Sequence, residues 1–277
     1  MASLPIPKEL KGLHDVFTRL SYGRTDSEVF DDFLLWIMAG FSYEIKWNPG
    51  GKYTPKQTPM FGEMFRELIL GISEILKHRE WCDPFGMFYE SGISSFSRRA
   101  GAGQFFTPEH VADLMTEIQG GEVKAQKNVD NLIGAGVRVS DPTCGSGRML
   151  ISFHAHYPGN LVFGEDIDRT CCLMTVCNML LSGAVGEVVW HNSLDPDSWF
   201  GGWRINETLG HTGIPIVREI TQEQSFSYQS WQAKKAEVEA LKLITASPVQ
   251  QQEKRQQPEA KITPPQSAGT QLSFIFE

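Results

Sequence analysis

Asp141-Pro142-Thr143-Cys144-Gly145-Ser146-Gly147-Arg148-Met149-Leu150 is the stretch whose reading decides the fold. It follows an alternating apolar run carrying Val137 and Val139. A strand that ends in an acid, turns through Gly-x-Gly and enters a helix opens a nucleotide-binding βαβ unit. The glycines let backbone approach a ligand closely, and the helix N-terminus supplies unpaired N–H donors. A second apolar run, Leu161-Val162-Phe163-Gly164, ends in Glu165-Asp166-Ile167-Asp168. Asp166 stands 19 residues beyond Gly147, the spacing at which such units place a carboxylate on ribose hydroxyls.

The same residues bear on which nucleotide. A dinucleotide fold asks for a third glycine for close helix–strand packing, and that position is Leu150. Asp141 would set a like charge against a pyrophosphate. Together with Glu165, Asp166 and Asp168 it makes an acidic rim at the strand ends, which suits a cationic ligand without phosphate. S-adenosylmethionine, with a sulfonium, an α-amino group and a ribose, meets that description. An NAD-dependent Rossmann enzyme is disfavoured by Leu150 and Asp141. An ordinary βαβ turn with solvated acids is the plain alternative.

From about Asp83 to Leu194 the chain resembles the N6-adenine DNA methyltransferases, above all the modification subunits of type I restriction systems. Gly103-Gln104-Phe105-Phe106-Thr107-Pro108 is similar to the family's Glu-Phe-Tyr-Thr-Pro segment. The resemblance implies that Phe106, Thr107 and Pro108 fold over the cofactor's methionine end. Asp141-Pro142-Thr143-Cys144-Gly145-Ser146-Gly147 matches the family's Asp-Pro-x-Cys-Gly-Ser-Gly loop. Asp166, followed by Ile167, falls on its ribose-binding acid. His191-Asn192-Ser193-Leu194 resembles the Gly-Asp-x-Leu that closes strand three, which implies a cofactor role for Asn192 and Ser193. Asn192 stands where the family has an acid, though its amide oxygen still accepts hydrogen bonds. The implied fold is α/β: a Rossmann-like, S-adenosylmethionine-dependent methyltransferase sheet, cut short after Leu194 and preceded by an α-helical domain.

The family's catalytic segment is not found. Such enzymes extrude the adenine and grip its amine with an (Asn/Asp)-Pro-Pro-aromatic loop at the end of strand four. Downstream of Leu194 the one Pro-Pro is Pro264-Pro265, behind Thr263. Asp195-Pro196-Asp197-Ser198-Trp199 and Asn48-Pro49-Gly50 read as turns. Two readings follow from the resemblance: methyl transfer to adenine N6 in DNA, or a catalytically inactive cofactor-binding or regulatory subunit.

Composition sets further bounds. The 277 residues carry a net charge of −8, with 41% hydrophobic residues and seven Trp. DNA affinity rests largely on Lys and Arg meeting phosphates, so an acidic chain is expected to bind DNA weakly alone. Arg98-Arg99 and Lys124 to Lys127 are small basic exceptions. A separate specificity subunit is the partner the resemblance implies, since the chain is too short to include a target-recognition domain. No apolar run approaches the ~20 residues that span a bilayer, and no signal-peptide stretch opens the chain, so a cytoplasmic protein is expected. The five Cys lack a C-x-x-C pair, so neither zinc nor a disulfide is expected.

The expected organisation is a helical segment over 1–100, a cofactor domain over 101–230, a helix over 231–246 and a disordered Gln/Pro-rich tail over 247–277. In the first segment Thr25-x-x-Glu28 predicts a capping box, and Thr58-Pro59 and Asp83-Pro84 predict two more helix starts. The second of these three helices is expected to bury Met64, Phe65, Leu68, Ile69, Ile72, Ile75 and Leu76. Thr107-Pro108 predicts a helix burying Val111, Leu114, Met115 and Ile118. Three strands are expected, Val137–Asp141, Leu161–Glu165 and Glu187–His191, with one more over Trp199–Ile205, and Gly183 is expected to cap a helix over Arg169–Ser182. The terminal Gln271-Leu272-Ser273-Phe274-Ile275-Phe276 is similar to peptides that dock on the sliding clamp, or else packs back on the chain's own core.

Overall fold

A computed structural model describes residues 5–93, 106–120 and 137–245. Its sheet has five strands in the order β1-β2-β3-β4-β5: Arg138–Asp141, Leu161–Asp166, Val185–Asn192, Asp195–Ile205 and Val217–Glu219. β1, β2 and β3 are parallel, and β4 and β5 run antiparallel. The result is a mixed α/β fold.

Two helices join the parallel strands. They are named in chain order with the rest: α1 Lys11–Ser21, α2 Asp26–Gly40, α3 Met60–Ile75, α4 Pro84–Phe88, α5 Glu109–Gly120, α6 Arg148–His156, α7 Arg169–Ser182, α8 Leu209–Thr212 and α9 Phe226–Thr245. α6 links β1 to β2 and α7 links β2 to β3. α7 ends at Gly183, whose φ of 77° gives the left-handed cap expected there. Its Cys171, Cys172 and Cys177 are buried.

The chain divides at Trp231, and residues up to it form one compact unit. Its core is continuous from the helices to the sheet: Phe30, Phe33, Phe61 and Phe88 share it with Val162, Leu173, Val176 and Val188. Burial of this many large apolar side chains is the main favourable contribution to folding. α2 also reaches α7 by polar contacts. Thr170 Oγ1 donates to Asp31 at 2.7 Å, and the Cys177 thiol approaches the Leu34 carbonyl at 3.6 Å.

Several local expectations are corrected. α2 begins after Thr25, but the Thr25 side chain makes no cap. In α3 Met64, Leu68 and Ile75 are buried, whereas Ile69 and Leu76 are exposed. α5 starts after Pro108 with its apolar stripe turned outward: Leu114, Met115 and Ile118 are exposed, while Ala112, Thr116 and Gly120 are buried. The reason lies on α6. Thr116 Oγ1 meets Ser152 Oγ at 3.0 Å, and Ser152 Oγ donates to Asp113 at 2.7 Å. A side chain at position 120 would overlap the Tyr157 ring. Hydrogen bonding and close approach, rather than apolar content, choose the buried face.

The chain after β3 also differs from expectation. Asn192 pairs directly with Asp195, so Ser193-Leu194 is the tip of a tight hairpin and Asp195-Pro196 opens β4. Asn48-Pro49-Gly50 is a turn, with the Gly50 amide on Asn48 Oδ1 at 3.1 Å. β5 was not expected. Helix α9 starts at Phe226, ahead of the expected Trp231. Arg98-Arg99, Lys124 to Lys127, the tail after residue 245 and the clamp-like peptide lie outside the described residues.

Candidate cofactor site

Gly145 and Gly147 shape the β1–α6 turn. Both have positive φ, 57° and 82°, a region costly for residues with a Cβ. A Cβ at 145 would sit 2.9 Å from the Phe106 ring, and one at 147 would sit 2.8 Å from the Thr175 methyl. The absent third glycine is offset from the strand side. Gly164 of β2 faces Leu150 and Cys144, where a Cβ would lie 3.2 and 3.1 Å away.

Around this turn opens a cavity of about 640 Å³, within the size range of small-molecule sites. Phe106, Thr107, Asp141, Thr143, Cys144, Gly145, Asp166 and Ile167 line it, with Ser146, Arg148, Met149, Asp168 and Cys171. The residues singled out in the sequence thus converge from three separate segments. Five others do not line it. Pro108 caps the start of α5, taking the Val111 and Ala112 amides at 2.9 and 3.0 Å. Gly147 turns behind the cavity wall against Thr175. The Pro142 carbonyl accepts from Ser193 Oγ at 2.5 Å, tying the β3 end to the loop. Asn192 Oδ1 accepts the Leu194 amide at 3.1 Å and closes the hairpin.

Three carboxylates face the cavity. Asp166 Oδ2 accepts from the Gly145 amide at 2.9 Å and its Oδ1 from the Asp168 amide at 2.8 Å. Burial nevertheless pushes its pKa up, against the lowering effect of those two amides. Burial also raises Asp141, which accepts from the Thr143 amide at 3.1 Å. Asp168 caps α7, taking the Thr170 and Cys171 amides at 2.8 and 3.2 Å. The Cys144 thiol is buried and pushed well up, so it stays a thiol, 3.4 Å from Thr175 Oγ1.

Arg148 is the cation at this wall, and its charge is already engaged. Nε donates to Asp83 Oδ2 at 2.9 Å, Nη2 to Glu90 at 3.0 Å and Nη1 to the Thr107 carbonyl at 2.9 Å. Its guanidinium lies 5.9 Å from the Phe106 ring centre. Burial works against this charge, but Asp83 and Glu90 outweigh it and push the Arg148 pKa up.

Asp83 is fully buried and accepts four hydrogen bonds. Besides Arg148 these come from the Gly86 amide at 2.8 Å, Ser146 Oγ at 2.5 Å and Asn178 Nδ2 at 2.7 Å. Asn178 Nδ2 also donates to the Ser146 carbonyl at 2.8 Å. One carboxylate therefore ties the start of α4, the glycine turn and α7 together, while Arg148 extends the tie to Phe106-Thr107. A buried network of this kind holds its members in one geometry only when every partner is present. Sequence reading found Asp83 only as a helix opener. Its partners lie 63, 65 and 95 residues away, and no local pattern announces them. Among the described residues no group of His, Cys, Asp and Glu could hold a metal ion.

A parallel βαβ unit carries this loop and acidic cavity, and comparison with known proteins names the class. Residues 81–255 match the model of the N-6 DNA Methylase family. The chain belongs to that family. Among curated proteins it is similar to the type I restriction enzyme MjaIX methylase subunit of Methanocaldococcus jannaschii, with 27% identity over 154 residues, 52% of this chain and 25% of that protein. It is also similar to the type I restriction enzyme MpnII methylase subunit of Mycoplasma pneumoniae, with 33% identity over 106 residues, 36% of this chain and 18% of that one. The matches therefore span a quarter or less of those relatives. No solved structure matches the chain.

Proposed function

We propose that the chain binds S-adenosylmethionine in the 640 Å³ cavity and forms the cofactor-binding part of an adenine-N6 DNA methyltransferase of the type I modification class. The observation that carries this reading is the Asp166–Gly145 contact at 2.9 Å. It joins the ends of β1 and β2 at a wall where Asp141, Asp166 and Asp168 face one already neutralised cation. Such a wall favours a positively charged ligand over a pyrophosphate. In this reading Asp166 receives the ribose hydroxyls, Asp141 stands near the methionine moiety, and Phe106 and Thr107 cover that end. The cofactor would supply an activated methyl group. The chain's own residues would bind and orient it, which for an in-line displacement is a large share of catalysis. Calorimetric titration with S-adenosylmethionine tests this directly.

A second reading is a cofactor-binding subunit active only with partners, namely DNA and a specificity subunit. The sheet favours it. β1 has no described partner on its outer side, and the strands after β3 add to the opposite edge as antiparallel hairpins. Doubly wound sheets usually continue on the far side of the first strand, and there the family's catalytic loop would stand. The formation of methyladenine by the chain with and without its partner subunits separates the two readings.

A further inference from the structure

Thr175 lies on α7, is fully buried and does not line the cavity around the glycine turn. A threonine inside a helix ordinarily bonds back to the carbonyl four residues earlier or faces water. This one reaches across to the turn, 30 residues away, where its Oγ1 donates to the Gly145 carbonyl at 2.9 Å. A hydroxyl has one proton to give, so its lone pairs are left for the Cys144 thiol at 3.4 Å. The methyl group of the same side chain closes the space beside two glycines. A Cβ at 147 or at 164 would lie 2.8 or 3.2 Å from it.

Gly145 is thereby held at both ends, its carbonyl by Thr175 and its amide by Asp166 Oδ2 at 2.9 Å. Glycine has the widest choice of backbone conformation, so its amide keeps one direction only while its neighbours hold it. We propose that Thr175 is a positioning residue of the cofactor site: by fixing the Gly145 carbonyl it aims the Gly145 amide at Asp166, and so orients the carboxylate that receives the ribose hydroxyls. This rests on the S-adenosylmethionine reading. Burial raises the Asp166 pKa, and the Gly145 amide works against that rise. Loss of the amide bond therefore disfavours the charge that the ribose meets. Asp168 and Asp141 are the other charges that face Asp166, and the test leaves both in place.

The test compares Thr175→Val, which keeps the shape and removes the hydroxyl, with Thr175→Ser, which keeps the hydroxyl. NMR follows the Gly145 amide proton of the free chain across pH, and calorimetry follows affinity for S-adenosylmethionine over the same range. In the parent the Gly145 amide shift tracks the titration of Asp166. Thr175→Val is expected to lose that response. It should bind S-adenosylmethionine about tenfold more weakly, the worth of one hydrogen bond to a charged group, and its affinity should start to fall at a higher pH. Thr175→Ser is expected to keep the amide response and the parent's pH profile. If Thr175→Val does not fold, Thr175→Ala takes its place. An unchanged amide response and pH profile in the folded variant without the hydroxyl overturns the proposal, as does an equal loss in Thr175→Ser. A parent chain that ignores S-adenosylmethionine overturns the cofactor reading instead, and the Gly145 amide response still decides what Thr175 does.

Discussion

Arg148 Nε stands 2.9 Å from Asp83 Oδ2, with both side chains almost completely out of solvent. This pair is the joint between the helical part of the chain and the glycine turn of the candidate cofactor site. Its strength comes from completeness. Every oxygen of Asp83 is met by a donor, and each arm of Arg148 has a carboxylate or carbonyl.

Removing one partner should therefore cost far more than a surface ion pair. Asp83→Ala leaves a buried guanidinium short of its counter-charge and is expected to destabilise by about 3–5 kcal/mol. Arg148→Lys keeps a charge for Asp83 but lacks the planar fork, so it cannot hold Thr107 and Glu90 as well. It should melt closer to the parent yet bind S-adenosylmethionine more weakly. Urea unfolding and calorimetry on the two variants check both halves. Loss of less than about 1 kcal/mol in Asp83→Ala would place the pair among contacts of surface strength.

The pH dependence has a defined sign. Asp166 and Asp141 both have pKa values raised above the ordinary 3.8 of an aspartate, chiefly by burial. Ionised, they cost stability above their raised pKa values, and that cost is relieved as pH falls through them. Cofactor affinity needs the ionised forms and moves the opposite way. It should be full at neutral pH and fall on acidification, beginning at a pH above the ordinary aspartate value. Affinity flat down to pH 4 contradicts this.

Methyl transfer by the chain alone is expected to be weak or undetectable. No (Asn/Asp)-Pro-Pro-aromatic segment follows Leu194, and the net charge is −8, which works against phosphate contacts. Incorporation of labelled methyl groups into adenine, compared with and without a type I specificity subunit, measures it. Robust incorporation by the purified chain alone would mean that another segment, such as Asp195-Pro196, positions the amine.

What was legible in the sequence was local. The strand–turn–helix at Asp141–Leu150, the acid at Asp166 and the left-handed cap at Gly183 are each set by residues close in the chain, and the structure has them in place. Asp83, Arg148 and Asn178 were illegible as a unit because their contacts join positions tens of residues apart. The face of α5 was misread for a different reason. Apolar periodicity favoured Leu114, Met115 and Ile118, but the packing partner offers Ser152 and Tyr157, which select Thr116, Asp113 and Gly120. The hairpin bond from the Leu194 amide to Asn192 Oδ1 is not legible in the sequence either.

The central claim is tested most directly by isothermal titration of the chain with S-adenosylmethionine, alongside NAD and the Asp166→Ala variant. The account predicts a micromolar dissociation constant, about 7–8 kcal/mol of binding free energy. It predicts a loss of about 1.5–3 kcal/mol in Asp166→Ala, as charge-assisted hydrogen bonds to the ribose disappear. Tight binding of NAD with no heat from S-adenosylmethionine would contradict it.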